Sequence, residues 1–166
     1  STWIEPSSEV INLLYDSNHS MKVNYGWNLS SSDWLIRIYL SGGSPREVIF
    51  NNSKIMQAYI FGDGSGNSFR FCVDDNLPNS SSSNHEVSPW IAIDWVGWKL
   101  VSWDMSMDGT GSWIGDGNLD GNMRFDSFQL KYNQGQSQFG NIYIDDFRIA
   151  DNVTLSNHET NFGQSF

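Results

Sequence analysis

Gln57-Ala58-Tyr59-Ile60-Phe61-Gly62-Asp63-Gly64-Ser65-Gly66-Asn67-Ser68-Phe69-Arg70-Phe71-Cys72-Val73-Asp74-Asp75 carries the pattern that decides the fold. Two runs rich in β-branched and aromatic residues, Ile55 to Phe61 and Ser68 to Val73, flank the breaker Gly62 to Asn67. Closely spaced glycines disfavour a helix, and strict alternation of apolar and polar residues has the period of a half-buried strand. In the second run Phe69, Phe71 and Val73 form one apolar row, with Arg70, Cys72 and Asp74 opposite. Successive strand side chains point to opposite faces, so the second row is available for chemistry.

The same grammar recurs outward from this stretch. Trp34 to Leu40, Trp98 to Met105, Phe125 to Tyr132 and Ile142 to Ile149 are further strand-like runs, separated by breakers such as Ser41-Gly42-Gly43-Ser44-Pro45 and Gly115-Asp116-Gly117. Trp34, Ile36, Ile38 and Leu40 read as a core row, with Arg37 and Tyr39 on the other face. Phe128, Leu130 and Tyr132 read inward, with Gln129 and Lys131 outward. Short strands at this spacing predict an all-β, antiparallel β-sandwich. Residues 1–150 are expected to form this one domain, and 151–166 a C-terminal tail, last strand or linker. Asn79 to Asn84 is low in complexity and reads as an exposed loop within it.

Composition narrows the partners. The 166 residues hold 9 Lys or Arg against 19 Asp or Glu, a formal charge of −10, with 39% hydrophobic and 14% aromatic residues. That aromatic content argues against disorder. So acidic a chain is a poor ligand for nucleic acid or an anionic membrane surface, which bind through Lys and Arg. No apolar run approaches the ~18 residues of a membrane span, and Ser1-Thr2-Trp3-Ile4-Glu5-Pro6 does not read as a signal peptide. The single Cys72 allows no intrachain disulfide. Abundant Asn and Ser with few Lys suit a secreted or cell-surface protein.

Catalytic patterns are sparse. Glycoside hydrolysis usually needs two carboxylates across the scissile bond. None of the five Glu, at 5, 9, 47, 86 and 159, shares a strand with a second carboxylate two or four positions away. His85-Glu86 lacks a second His four residues after His85, where Pro89 stands, and His19, His85 and His158 read as surface residues. A lyase or hydrolase using Arg70, Lys131 and Tyr143 is the enzymatic alternative, and a spacer without glycan affinity is a third reading. Asp116-Gly117-Asn118-Leu119-Asp120-Gly121 matches the first half of a calcium loop, but its twelfth position is Ser127 and such residues also make ordinary turns. Sugars stack on aromatic rings while polar groups bond their hydroxyls. Of the eight Trp, Trp34, Trp95 and Trp98 are expected in the core, and Trp113 in its glycine-flanked segment is the exposed candidate.

The stretch from Gln57 to Asp75, followed by Ile93-Asp94-Trp95-Val96-Gly97-Trp98-Lys99-Leu100-Val101 and Ile142-Tyr143-Ile144-Asp145-Asp146-Phe147-Arg148-Ile149, resembles β-jelly-roll carbohydrate-binding modules of bacterial secreted glycoside hydrolases and phosphodiester glycosidases. It is distantly similar to family 11 modules, over about Trp34 to Ile149. The resemblance implies a galactose-binding-like jelly roll without catalytic residues, and a concave sheet that receives a polysaccharide, with a β-glucan preferred. It implies targeting of an attached catalytic domain in a bacterial secreted or surface protein. Tyr59 and Arg70 match family positions. With them, the reading of strand faces selects Arg37, Tyr39, Asp104, Gln129, Lys131 and Tyr143 as one glycan-facing set, with Arg124 and Asp126 at its rim and Trp113 as the exposed ring. Asp104 belongs to it, and Trp103 to the core, only if the Leu100-Ser102-Asp104 row faces outward. The closing Ile-Asp-Asp pattern implies a structural calcium at Asp146 or Asp145, completed from the first strand by Glu5. Phe61 departs from the Tyr usual there.

Overall fold

A computed structural model describes residues 2–15, 18–32, 34–39, 47–79 and 81–152. The described residues form ten strands, β1 (Trp3–Ser7), β2 (Ser20–Gly26), β3 (Leu35–Tyr39), β4 (Lys54–Asp63), β5 (Ser68–Leu77), β6 (His85–Val87), β7 (Ile91–Ala92), β8 (Val96–Asp104), β9 (Asn122–Lys131) and β10 (Phe139–Asp151), and two short 3-10 turns, Leu13–Tyr15 and Ser82–Asn84. The first sheet runs β1-β2-β10-β4-β8 and the second β3-β9-β5-β6, with β7 also on β5. The pairings are antiparallel. The expected all-β sandwich is therefore present. Leu40, the Ser41-to-Pro45 breaker, His158 and the tail beyond Asn152 lie outside the described residues.

The core forms where the two inner rows meet. Val23, Tyr25, Met56, Ala58, Ile60, Val101, Trp103, Ile142 and Ile144 of the first sheet pack on Phe69, Phe71, Val73, Phe125, Phe128 and Leu130 of the second. Phe69, Phe71 and Phe128 touch edge-to-face or tilted at 5.2–6.0 Å. Such aromatic packing supplies much of a core's burial energy. The inner rows read from alternation on β5 and β9 stand as expected. Pro6 sits on β1, an edge strand, where its missing N–H costs no internal ladder bond.

The tryptophan assignment needs correction. Trp103 and Trp27 are the buried pair, while Trp34 and Trp95 are only partly buried against the core. Trp98 is on the outer row of β8, edge-on to Phe61 at 5.5 Å, and its indole N–H donates to Ile11 O at 3.1 Å. The one-residue phase of β8 decides this, because the Trp103 row faces inward and sends Trp98 and Asp104 out.

The glycine segment Gly62 to Asn67 carries the chain from the first sheet to the second. Gly62 is required there, because a Cβ would meet Trp95 O at 2.5 Å. This crossing sends the outward rows of β4 and β5 to opposite sides of the sandwich.

Candidate binding groove

The outer face of the second sheet holds most of the sequence-selected residues. On β5 and β9, Arg70 stands opposite Gln129, and on β3 Arg37 stands on the far side of Gln129. Arg70 is 2% exposed although it points away from the core. Two loop tryptophans cover it. Its Cζ lies 3.9 Å from the Trp90 ring centre and 5.9 Å from that of Trp113. Nε donates to Gln129 Oε1 at 2.8 Å and Nη1 to Ser112 O at 3.0 Å. Lys131 Nζ lies 5.2 Å from the Trp90 ring centre. Arg70, Trp90, Trp113 and Lys131, together with Trp34 and Tyr132, line an open cleft of about 560 Å³.

A floor of ion pairs stiffens the adjoining part of this face. Arg37 grips Asp126 through Nη2 to Oδ1 at 2.6 Å and Nε to Oδ2 at 3.1 Å. The Arg37 guanidinium also lies 5.3 Å from both the Tyr39 and the Trp113 ring centres. Arg124 Nε donates to Asp74 Oδ2 at 2.9 Å, and His85 Nε2 lies 3.2 Å from Asp74 Oδ1. Asp74, His85 and Asp126 place their ligand atoms within 4.8 Å of one another. Arg37 and Arg124 already compensate those carboxylates, so the group is a charge network between strands.

Burial alone would raise the Asp126 pKa, but hydrogen bonds from Arg37 and Ser127 and the charges of Arg37 and His85 outweigh it and hold the carboxyl below its ordinary value. A depressed folded pKa gives stability that is present above about pH 4 and lost as pH falls further. The gap in unfolding free energy between the protein and its Asp126→Asn variant is expected to be about 1–3 kcal/mol at pH 7. It should shrink below pH 3 in urea titrations. A gap that stays constant across that range would refute this role.

The Trp113 segment is held as a shaped loop. Gly111 N donates to Val87 O at 2.8 Å, Gly117 N to Glu86 Oε1 at 3.0 Å and Asp120 N to Asp75 Oδ2 at 2.8 Å. Gly115 is needed at this seat, because a Cβ there would collide with Glu86 Oε1 and His85 O. Within the calcium-like stretch, Asp116 Oδ1 accepts from Asn118 N at 2.9 Å. That bond is an Asx turn, and the rest of the stretch is tied to Glu86 and Asp75.

The expected single glycan face is divided. Arg37, Tyr39, Arg70, Trp113, Arg124, Asp126, Gln129 and Lys131 belong to the second sheet's side. Gln129 and Asp126, 0% and 1% exposed, lie beneath it as supports for Arg70 and Arg37. Tyr59, Asp104 and Tyr143 are on the outer row of the first sheet, across the core. Tyr143 OH donates to Glu9 Oε2 at 2.8 Å, and Asp104 Oδ1 accepts from Ser106 N at 3.0 Å. Tyr143 therefore does not converge with Arg70 and Lys131, and the lyase-like constellation is not assembled. Sequence reading passed over Trp90. Its signal was available: Ile91 and Ile93 alternate with it and pack inward.

The three calcium candidates are not gathered into one set. Glu5 stands opposite Lys22 in the β1–β2 ladder, 4.0 Å from its Nζ. Asp146 Oδ2 accepts from Arg148 Nη1 at 3.0 Å. Asp145 sits at a bulge in β10, beside Asp146 with its positive φ of 47°. Its Oδ2 is buried without a hydrogen-bond partner. Of the three, Asp145 fits a cation best.

Comparison of the fold with solved structures places it in a known architecture. This is the fold of family 11 carbohydrate-binding modules. The family 11 module from Clostridium thermocellum in complex with a β-1,3-1,4-mixed-linked tetrasaccharide superposes with a TM-score of 0.54 at 18% identity, over 91% of this chain and 83% of that one. The family 11 module of the cellulosomal cellulase Lic26A-Cel5E of C. thermocellum gives 0.54 at 17%, over 91% and 82%. No family model and no curated protein sequence matches the chain.

Proposed function

We propose that this chain is a noncatalytic polysaccharide-binding module whose ligand lies in the Trp90–Trp113 cleft. The observation that carries the reading is an open cleft walled by three tryptophans, with Arg70 held rigidly between two of them. Rings offer flat apolar surface to sugar C–H faces, and an immobilised guanidinium offers donors at little further entropy cost. The complex of a family 11 module with a mixed-linkage tetrasaccharide supports a β-glucan-type backbone as the ligand. Open clefts of this kind bind with a Kd of about μM to mM. Within a bacterial secreted or surface protein, such a module would tether an attached glycoside hydrolase to its substrate and raise the effective concentration.

Affinity electrophoresis in gels containing β-glucans tests this reading, with reducing ends and unsaturated products assayed in parallel. Retardation without product release is expected. Free mobility across a full polysaccharide panel, or sustained release of product, would contradict it.

Calcium belongs to the same proposal, at Asp145 with Asp146 beside it. A buried carboxylate oxygen without a donor is costly, and a hard cation relieves that cost. Returning calcium to chelator-treated protein should raise Tm by about 3 °C, the shift for roughly 1 kcal/mol in a domain of this size. Asp145→Asn should abolish the rise. Identical Tm values with and without calcium would remove the ion from the proposal.

A further inference from the structure

The charge of the cleft runs against the charge of the protein. The chain carries a formal −10, yet among the described residues the cleft is lined by two cations, Arg70 and Lys131, and by no carboxylate. The other arginines of the same face are neutralised, Arg37 by Asp126 and Arg124 by Asp74. Arg70 has only neutral acceptors, Gln129 Oε1 and Ser112 O, which occupy Nε and Nη1 and leave Nη2 without an acceptor among the described residues. Lys131 lies two positions along β9 from Gln129, the residue opposite Arg70, and reaches the same Trp90 ring.

A buried guanidinium without an anion is an unfavourable arrangement that a ligand can relieve. Burial draws the Arg70 pKa down to about 10, which leaves it protonated at neutral pH. Arg and Lys side by side are the usual means of holding a carboxylate or sulfate oxygen pair. Neutral sugars have no need of two uncompensated cations, since amide and hydroxyl groups satisfy their hydroxyls.

We infer that the cleft selects an anionic glycan, one whose sugars carry a carboxylate or sulfate ester seated between Arg70 and Lys131. This rests on the reading of the cleft as a polysaccharide site and names the class of chain it takes. The net charge of −10 then works against polyanion binding elsewhere on the surface.

Matched hexasaccharides separate the two levels. Titration calorimetry would compare β-1,4-glucan with its 6-carboxy and 6-sulfo counterparts, and β-1,4-mannan with β-1,4-mannuronan. At low salt at least one anionic form should bind about tenfold more tightly than its neutral parent, and whichever form does identifies carboxylate or sulfate as the group held. The advantage should fall toward unity as ionic strength rises from about 0.02 M to about 0.5 M, where the Debye length drops below about 5 Å. Lys131→Gln, at a half-buried position that need not disturb folding, should cut the anionic-to-neutral ratio at least threefold. Equal or tighter binding of both neutral parents would overturn the inference and leave the polysaccharide-binding role standing. Binding to none of the five sugars would overturn the inference, and together with free mobility across the full polysaccharide panel it would overturn the binding role as well. A ratio unchanged in Lys131→Gln would overturn the seat at Arg70 and Lys131.

Discussion

Trp90→Ala should lower glycan affinity about 30-fold or more while leaving the protein folded. Trp90 does two things in the cleft: it offers ring surface, and it fixes the plane of Arg70 from 3.9 Å. Removing a central aromatic from a binding patch costs about 2 kcal/mol or more, which is about 30-fold at room temperature. The residue lies outside the main core cluster, so Tm should move by only a few degrees. Trp113→Ala should also weaken binding, because its ring lies 5.9 Å from Arg70 and 5.3 Å from Arg37. Tyr59→Ala, across the core on β4, should change affinity less than twofold. Retained affinity in Trp90→Ala beside lost affinity in Tyr59→Ala would move the site to the other sheet.

Trp103→Ala should have the largest effect on stability. Trp103 is 1% exposed on the inner row of β8, near the end of that edge strand of the first sheet. Its indole N–H donates to Gly109 O at 2.9 Å, at the start of the connection that carries Trp113 to the second sheet's outer face. A fully buried Trp truncated to Ala costs about 3–5 kcal/mol, transfer and cavity together. That corresponds to a Tm lower by roughly 10 °C, measured by calorimetry. Trp103→Phe keeps most of the ring but loses the Gly109 bond, so it should cost less in Tm. A loss under about 1 kcal/mol for Trp103→Ala would show that this region is not the load centre of the core.

How much of this was legible in the sequence can be traced residue by residue. Alternation gave the inner rows of β5 and β9, because each is a long strand with one face against the core. Alternation also turned Arg70, Gln129 and Lys131 outward, and the pairing of β5 with β9 brings them to the one face where the cleft lies. It could not say which sheet a strand joins. Tyr59 and Arg70 are eleven residues apart along the chain, and the Gly62-to-Asn67 crossing puts the core between them. Pairing across distant segments, such as β10 with β4, is set by tertiary packing and leaves no local mark. The phase of β8 was ambiguous for the same reason: Trp98 and Trp103 are both bulky and apolar, and only the partner row on β4 decides between them. Burial of outward residues was also hidden, because Arg70 and Gln129 are covered by the Trp90 and Trp113 loops. Charge pairing was the last hidden layer. Composition gave a net −10, but not that Asp126 and Asp74 neutralise Arg37 and Arg124 while Arg70 and Lys131 meet no carboxylate among the described residues.

The most direct measurement is a two-dimensional nitrogen–proton NMR titration of the tryptophan indole N–H signals, eight in this chain, with β-1,4-linked glucose and glucuronate hexasaccharides. Binding in the cleft predicts saturable shifts of the Trp90 and Trp113 signals, together with the backbone amides of Arg70 and Lys131. Trp98, on the opposite face, should stay still. Shifts confined to Trp98 and the amides of Tyr59 and Tyr143, or no shift with either sugar, would contradict it.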